Sequence, residues 1–278
     1  MTAERIPLAC VIGSPIAHSL SPRVHGHWLR RYGISGYYVP IELRHETLEE
    51  HVRKLPDFGF CGANVTLPFK ETVLSFSDVI TDRAALIGAA NTLTFLRDGR
   101  IRADNTDGYG FIGNIRQSAP DWTAQQAPTM VLGAGGASRA VISSLLGEGA
   151  PEIWLVNRTR NRAEMLREHF GARVRVLEWN HAPQELSNVG TLVNTTSLGM
   201  RGQPELHFPL DAIKRGTLVT DIVYTPLETA LLAAAAKKGC VVVDGLGMLL
   251  HQAVPGFETW FHKRPEVDEA LRQAVLGQ

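Results

Sequence analysis

An α/β protein of two lobes is what this sequence predicts, and three observations predict it. The chain has 278 residues, more than one average domain of roughly 100 to 150 residues and about right for two. Short apolar runs alternate with amphipathic segments along its length, the pattern of strands joined by helices. From Thr129 onward a second series of β-branched runs is apolar on both faces, as strands of a parallel sheet covered by helices must be.

In order, Leu8 to Ile12, Tyr37 to Leu43 and Ala63 to Leu67 read as strands, with helical stretches at Pro22 to Tyr32 and Thr47 to Leu55. Asn91 to Leu96 and Ile101 to Ala103 flank Asp98-Gly99, a hairpin dipeptide whose glycine takes up positive φ without steric cost. The first sheet is therefore expected to be mixed. TMVLGAG, EIWLVN, VRVL, TLVNTT, TLVTDIV and CVVVDG supply the second sheet, and Ala233 to Ala236 sits in an ordinary helix. By composition alone the polar segment Ser118 to Pro128, SAPDWTAQQAP, is the clearest candidate boundary between the lobes.

Lys+Arg and Asp+Glu are equal at 28 each, so no overall field draws the chain to nucleic acid or an anionic membrane. A small-molecule partner is expected. Cys10, Cys61 and Cys240 are far apart and odd in number, which reads as reduced buried thiols in a cytoplasmic protein rather than a disulfide framework. The opening MTAERIPLACVIG has no leader pattern, and no apolar run reaches the roughly 20 residues that span a bilayer. No HExxH or CxxC spacing occurs among the ten histidines and three cysteines, so no metal is expected.

Gly133-Ala134-Gly135-Gly136-Ala137-Ser138 follows the strand TMVL and opens the helical stretch ASRAVISSLL. In that context a glycine-rich turn lets backbone amides and a helix N-terminus hold a pyrophosphate. A strict GxGxxG would need glycine at Ser138, so a plain strand-to-helix turn stays open as the alternative. The next strand ends in Asn157-Arg158-Thr159, with Arg162 close behind, where NAD-binding folds place an acid for the ribose hydroxyl. Guanidinium groups bind a 2′-phosphate that a carboxylate would repel, which favours NADP. Arg158 and Arg162 are otherwise solvated cations, although two of them in a first turn oppose the helix dipole.

Ketone reduction needs a proton donor beside the carbonyl oxygen. Lys70 ends Asn64-Val65-Thr66-Leu67-Pro68-Phe69-Lys70, where a strand stops at proline and a helix (ETVLSF) is expected to begin; the positive helix end there would disfavour its charge. A solvated surface lysine is the ordinary alternative. Asp104-Asn105-Thr106-Asp107-Gly108 is a dense polar cluster before an apolar helix starting near Tyr109. One of its members is expected to cap that helix, leaving Asn105 and Asp107 to orient a polyhydroxylated ligand or pair with Lys70. Gly13 to Pro22 carries Ser19 and Ser21; Ser21-Pro22 reads as an N-cap followed by proline, while Ser19 is placed to hold a carboxylate at a helix N-terminus. Asn194 to Ser197 reads as either a hydrogen-bonded turn or a cofactor contact, and Met248 as packing.

Together these segments resemble the shikimate dehydrogenase family, whose members carry HSxSP, NVTxPxK, GAxNT, NTDG, GAGGAS, NRT, NTTSxGM and GxGMLxxQA in this order; all eight occur between Gly13 and Ala253. The resemblance implies an NADP-dependent oxidoreductase of aromatic amino acid biosynthesis, interconverting 3-dehydroshikimate and shikimate. It implies that Ser19 and Ser21 bind the substrate carboxylate, that Thr66, Asn91, Tyr224 and Gln252 contact its hydroxyls or ring, and that Lys70 and Asp107 are the catalytic pair. Gly133, Ala134, Gly135, Gly136 and Ala137 would hold the pyrophosphate, Asn157, Arg158, Thr159 and Arg162 the adenosine phosphate end, and Gly245 the nicotinamide side.

On this reading residues 1–108, completed by 245–278, form an α/β substrate-binding catalytic domain with a mixed sheet. Residues 109–244 form a Rossmann-like NADP-binding domain, with a cleft between the two and hinges at Thr106 to Gly110 and Asp244 to Gly247. Monomer and homodimer stay open. Gly26 stands where the family often has Asn, and a glycine expected after Trp260 is missing; neither is a proposed site residue. A quinate or dual-specificity dehydrogenase is the rival within the class, and Ser21 instead of the bulkier Thr of quinate-using relatives favours shikimate. A catalytically silent ligand sensor is the remote alternative, since it has no need of Lys70 and Asp107 together.

Overall fold

The computed structural model describes residues 6–277; the leader-free reading of Met1 to Arg5 lies outside them. The chain forms two compact units, one comprising residues up to Thr106 together with Leu249 onward, the other Asp107–Met248.

The first unit is built on strands β1 (Leu8–Gly13), β2 (Tyr37–Glu42), β3 (Phe60–Val65), β4 (Val79–Ile80), β5 (Thr92–Phe95) and β6 (Ile101–Asp104). Their order in the sheet is β2-β1-β3-β5-β6-β4. β1 pairs in parallel with β2 and β3, whereas β5 runs antiparallel to β3 and β6. The sheet is mixed for the expected reason: Gly99, at φ 85°, turns the β5–β6 hairpin. Cys10, Ile12, Val65, Phe69 and Leu93 are buried in one core. Helix α1 (Ser21–Arg31) buries Val24, Trp28 and Leu29, spaced as one helical face requires. Helices α2 (Leu48–Lys54) and α3 (Asp82–Ile87) complete this part of the unit.

The second unit starts with α4 (Asp107–Ser118) and holds β7 (Thr129–Leu132), α5 (Gly136–Gly147), β8 (Ile153–Val156), α6 (Arg160–Phe170), β9 (Val174–Leu177), β10 (Thr191–Asn194), β11 (Leu218–Asp221), α7 (Ala230–Lys237) and β12 (Val241–Val243). The strand order β12-β11-β10-β7-β8-β9, parallel throughout, is the doubly wound dinucleotide-binding topology with its reversal at β7 and β10. Helix α8 (Leu246–Phe261) starts in this unit and continues into the first, where α9 (Glu269–Leu276) follows, capped by the Asp268 side chain on the Leu271 amide at 2.9 Å.

Several local expectations are corrected. The third strand ends at Val65 rather than Leu67, because Phe69 N–H bonds back to the Thr66 carbonyl at 3.0 Å and closes a turn. Ser21 is the first residue of α1 and not its cap, and Leu20 in the cap position makes no side-chain bond. The segment directly after Lys70 is not an α-helix: Thr72–Phe76 is a five-residue 3-10 turn, too short to carry the aligned dipole invoked for the lysine. Ser118 to Pro128 lies inside the second unit, pinned by buried Ala124 and by Trp122, whose indole N–H donates to Thr191 Oγ1 at 2.9 Å. Of the cysteines only Cys10 is buried; Cys61 and Cys240 are half-buried.

Candidate active site

In the first unit, the loops leaving the parallel neighbours β1 and β3 meet. A Cβ on Gly13 would lie 2.5 Å from Thr66 Cγ2 and 3.1 Å from the Leu67 carbonyl, so only glycine lets these loops touch. Ser14 N–H then donates to Leu67 O at 3.1 Å, placing the segments of Ser19, Ser21, Thr66 and Lys70 at one end of the sheet. Ser19 Oγ accepts the Ser21 amide at 3.3 Å, doing for α1 what the cap residue does not. Ser21 is buried; Ser19, Thr66 and Lys70 are half-buried.

Asn91 sits just before β5 and is 1% exposed. Its Oδ1 accepts from the Thr106 amide at 2.8 Å and the Thr92 hydroxyl at 2.9 Å, which fixes the amide so that Nδ2 donates to Gln252 Oε1 at 3.1 Å. Gln252, which by sequence alone passes for a surface residue, is buried in α8; its Nε2 donates to Leu249 O at 3.1 Å, and its carbonyl accepts from the Thr106 hydroxyl at 2.9 Å. Asn64, not singled out in the sequence, joins this cluster by donating to the Asn91 carbonyl at 3.1 Å; its position in the NVT segment was the available signal. In the polar cluster after the hairpin, Asp104 serves structure: it accepts from Thr81 and from both donors of Arg83, which hold its carboxyl below the usual carboxylate range against the opposing effect of burial.

In the second unit, Gly133 has φ 107°, and a Cβ there would fall 2.8 Å from Thr195 Oγ1 and 2.9 Å from Thr196 Cγ2. The Asn194–Thr196 turn is therefore packed against the glycine turn. That turn is built by its own hydrogen bonds: Asn194 Oδ1 accepts from the Thr196 amide at 3.0 Å and hydroxyl at 2.7 Å. Asn194 Nδ2 and the Val223 amide both donate to Asp221 Oδ1, and Thr229 donates to Oδ2. Burial pushes the Asp221 carboxyl up, with these three bonds opposing it. Val223 leads to half-buried Tyr224, whose phenol burial also raises. A Cβ on Gly245 would come within 2.4 Å of the Ile222 carbonyl, so the backbone before α8 runs tight against the strand end. Asp107, at the first turn of α4, is 6% exposed. Met248 packs on the core of this unit.

The residues present fit a dinucleotide. Cβ atoms on Gly135 and Gly136 would meet nothing within 4 Å, and Gly135 caps α5 without a side-chain bond; the amides at that end are presented to a cradle that any larger residue would fill. Asn157 holds the turn open from β8, its Oδ1 accepting the Ala134 amide at 3.1 Å and its Nδ2 donating to Thr159 O at 2.7 Å. Arg160 is committed to Glu164 and Glu178. Arg158 and Arg162 are exposed beside it and, among the described residues, pair with no carboxylate. Also among the described residues, no group of three or more His, Cys, Asp or Glu is arranged to hold a metal ion.

A doubly wound sheet with an open glycine cradle and two uncommitted arginines past its second strand defines a dinucleotide-binding α/β protein, whose first unit carries a buried amide and hydroxyl cluster. Three family models match the chain: the shikimate dehydrogenase substrate binding domain over residues 11–93, shikimate / quinate 5-dehydrogenase over 116–200, and the shikimate 5′-dehydrogenase C-terminal domain over 245–276. The shikimate dehydrogenase (NADP(+)) of Paracoccus denitrificans is 62% identical over 276 residues, covering 99% of this chain and 98% of the relative. The crystal structure of shikimate 5-dehydrogenase from Thermus thermophilus in complex with NADP(H) and shikimate superposes with a TM-score of 0.86 at 34% identity, over 98% of this chain and 99% of that one. Quinate dehydrogenase from Corynebacterium glutamicum in complex with NAD gives 0.89 at 28% identity, again over 98% and 99%. The chain belongs to the shikimate dehydrogenase family.

Proposed function

We infer that this chain catalyses the reversible NADPH-dependent reduction of 3-dehydroshikimate to shikimate. The observation that carries the inference is 62% identity to an NADP(+) shikimate dehydrogenase across nearly the whole of both chains. The cofactor site agrees, with a cradle that admits a pyrophosphate and arginines rather than an acid at the ribose position.

Residues 1–108 with 245–278 act as the substrate-binding catalytic domain and 109–244 as the NADP-binding domain; the division into units that change over at Thr106/Asp107 and Met248/Leu249 supports this. Ser19 and Ser21 hold the substrate carboxylate, using hydroxyls at the start of α1. Asn91 and Gln252, locked to each other, present amides to the ring hydroxyls, with Thr66 and Tyr224 as further contacts. Fixing the substrate by several short polar groups reduces the entropy still to be lost at the barrier. Lys70 gives its proton to the carbonyl oxygen of 3-dehydroshikimate and takes it back in the reverse direction. Asp107 orients a substrate hydroxyl and keeps Lys70 in its working orientation. Gly133 to Ala137 receive the pyrophosphate, Asn157, Arg158, Thr159 and Arg162 the adenosine phosphate end, and Gly245 leaves room for the nicotinamide side. The bound dinucleotide supplies the hydride.

A cytoplasmic enzyme, monomeric or homodimeric, suits three free cysteines, which a reducing compartment maintains. A quinate-using branch is the second reading, favoured by the likeness to the Corynebacterium enzyme and opposed by Ser21 in place of threonine. The test is reduced-nicotinamide absorbance with shikimate or quinate and NADP or NAD. Fast turnover with shikimate and NADP, with NAD far slower and quinate silent, is expected; equal turnover on quinate moves the chain to the second reading, and silence in every combination overturns both.

A further inference from the structure

His25 is fully buried in α1, and neither ring nitrogen has a hydrogen-bond partner. Buried polar atoms are nearly always paired, so an orphaned imidazole in the middle of a packed unit calls for a reason. Its ring lies flat on Tyr38, with centroids 3.8 Å apart and planes 3° from parallel. Trp28, Phe257 and Trp260 pack around the same ring, each at a centroid distance of 5.8 Å. An imidazole boxed this way fixes the plane of the phenol stacked on it.

Tyr38 itself is 7% exposed and donates its hydroxyl to Asn64 Oδ1 at 2.7 Å; the Ser21 side chain adjoins the same phenol. Asn64 passes the constraint on, with Nδ2 donating to Asn91 O at 3.1 Å and to Thr92 Oγ1 at 3.3 Å. Thr92 in turn donates to Asn91 Oδ1 at 2.9 Å, and Asn91 to Gln252. A continuous line of hydrogen bonds thus leads from the aromatic box to the two amides assigned above to the substrate.

We propose that Tyr38, clamped by His25, is a positioning residue that sets the Asn64 amide, and through it Asn91 and Gln252, for the substrate. The proposal rests on the reading of Asn91 and Gln252 as substrate contacts. The two ends of an asparagine amide have similar shape and opposite hydrogen-bonding character, so partners decide which end faces where. The Tyr38 hydroxyl donates to Asn64 only when Oδ1 faces it, and that same orientation aims Nδ2 at Asn91 and Thr92. Without the hydroxyl, Oδ1 becomes a buried acceptor with one donor fewer, and the amide is no longer held to one orientation.

The experiment compares steady-state kinetics and thermal melting of Tyr38→Phe, Asn64→Ala, their double variant, His25→Phe, His25→Ala and Gln252→Ala in the full chain. Tyr38→Phe is expected to raise KM for shikimate by about five- to tenfold, the range of one lost buried hydrogen bond, with kcat and KM for NADP within twofold of the parent. In the Asn64→Ala background the same change is expected to add much less, since the hydroxyl has then lost the amide it orients and only Ser21 still adjoins it. His25→Phe keeps a stacked ring and is expected to leave KM unchanged, whereas His25→Ala raises it as Tyr38→Phe does. An unchanged KM in Tyr38→Phe, or full additivity with Asn64→Ala, overturns the positioning role and leaves Tyr38 as packing. An unchanged KM in Gln252→Ala overturns the substrate reading instead, so the two failures are told apart.

Discussion

Replacing His25 by Phe should remove a specific acid sensitivity from the first unit. Burial drives the His25 imidazole down from 6.5 to about 3. In the folded state the ring therefore stays neutral through mild acid, while in the unfolded chain it takes up a proton below about pH 6.5. The sign follows: this contribution is constant above the unfolded value and turns against folding as the pH falls from there toward about 3. At about pH 5 the unfolded histidine is protonated roughly thirty times more often than not, which costs the folded state about 2 kcal/mol relative to about pH 8. Intrinsic fluorescence is a suitable probe, because Trp28 and Trp260 are 0% and 2% exposed and pack against the ring. Urea unfolding at the two pH values should show the parent losing about 2 kcal/mol more than His25→Phe. His27 and His251 are also lowered by burial, but they are common to both proteins and cancel in the difference. Identical acid losses in the two proteins would refute a buried neutral His25.

Two further changes probe the site directly. The double variant Arg158→Ala, Arg162→Ala should raise KM for NADP by about ten- to a hundredfold, the worth of one or two charge-assisted hydrogen bonds, with NAD kinetics unmoved; equal losses with both cofactors would place the arginines elsewhere. Lys70→Ala should abolish turnover while leaving shikimate affinity, measured by calorimetry, within about tenfold or 1.4 kcal/mol. Retained turnover would remove the lysine from the proton transfer.

What could be read from the sequence was what depends on near neighbours along the chain. The hairpin at Asp98-Gly99, the parallel strands of the second unit and the cradle at Gly133 to Gly136 are each set by a few consecutive residues whose backbone demands are local. The hydrogen-bonded turn read at Asn194 to Ser197 is likewise local, made by Asn194 on Thr196 two residues away. The misreadings arose where a local rule was overridden. Ser21 looked like a cap, yet the chain enters α1 one residue earlier and Ser19 takes over the amide. Ser118 to Pro128 looked like a linker, but Trp122 and Ala124 within it carry enough apolar surface to tie it down. Gln252 and Asn64 were the least legible, because their meaning comes from Asn91, which is 161 positions from Gln252 and 27 from Asn64. No periodicity encodes a contact of that kind.

The two units also differ in when they can be completed during synthesis. All strands of the first sheet leave the ribosome early, but the indole of Trp260, which caps the Leu93 carbonyl at 3.1 Å and would collide with any side chain at position 62, arrives only with α8. Phe257, stacked edge-on against Trp28, arrives with it. The second unit, by contrast, is one uninterrupted stretch from Asp107 to Met248. The stretch translated first is therefore finished last: it must wait with an open aromatic flank while the later stretch already has every strand it needs.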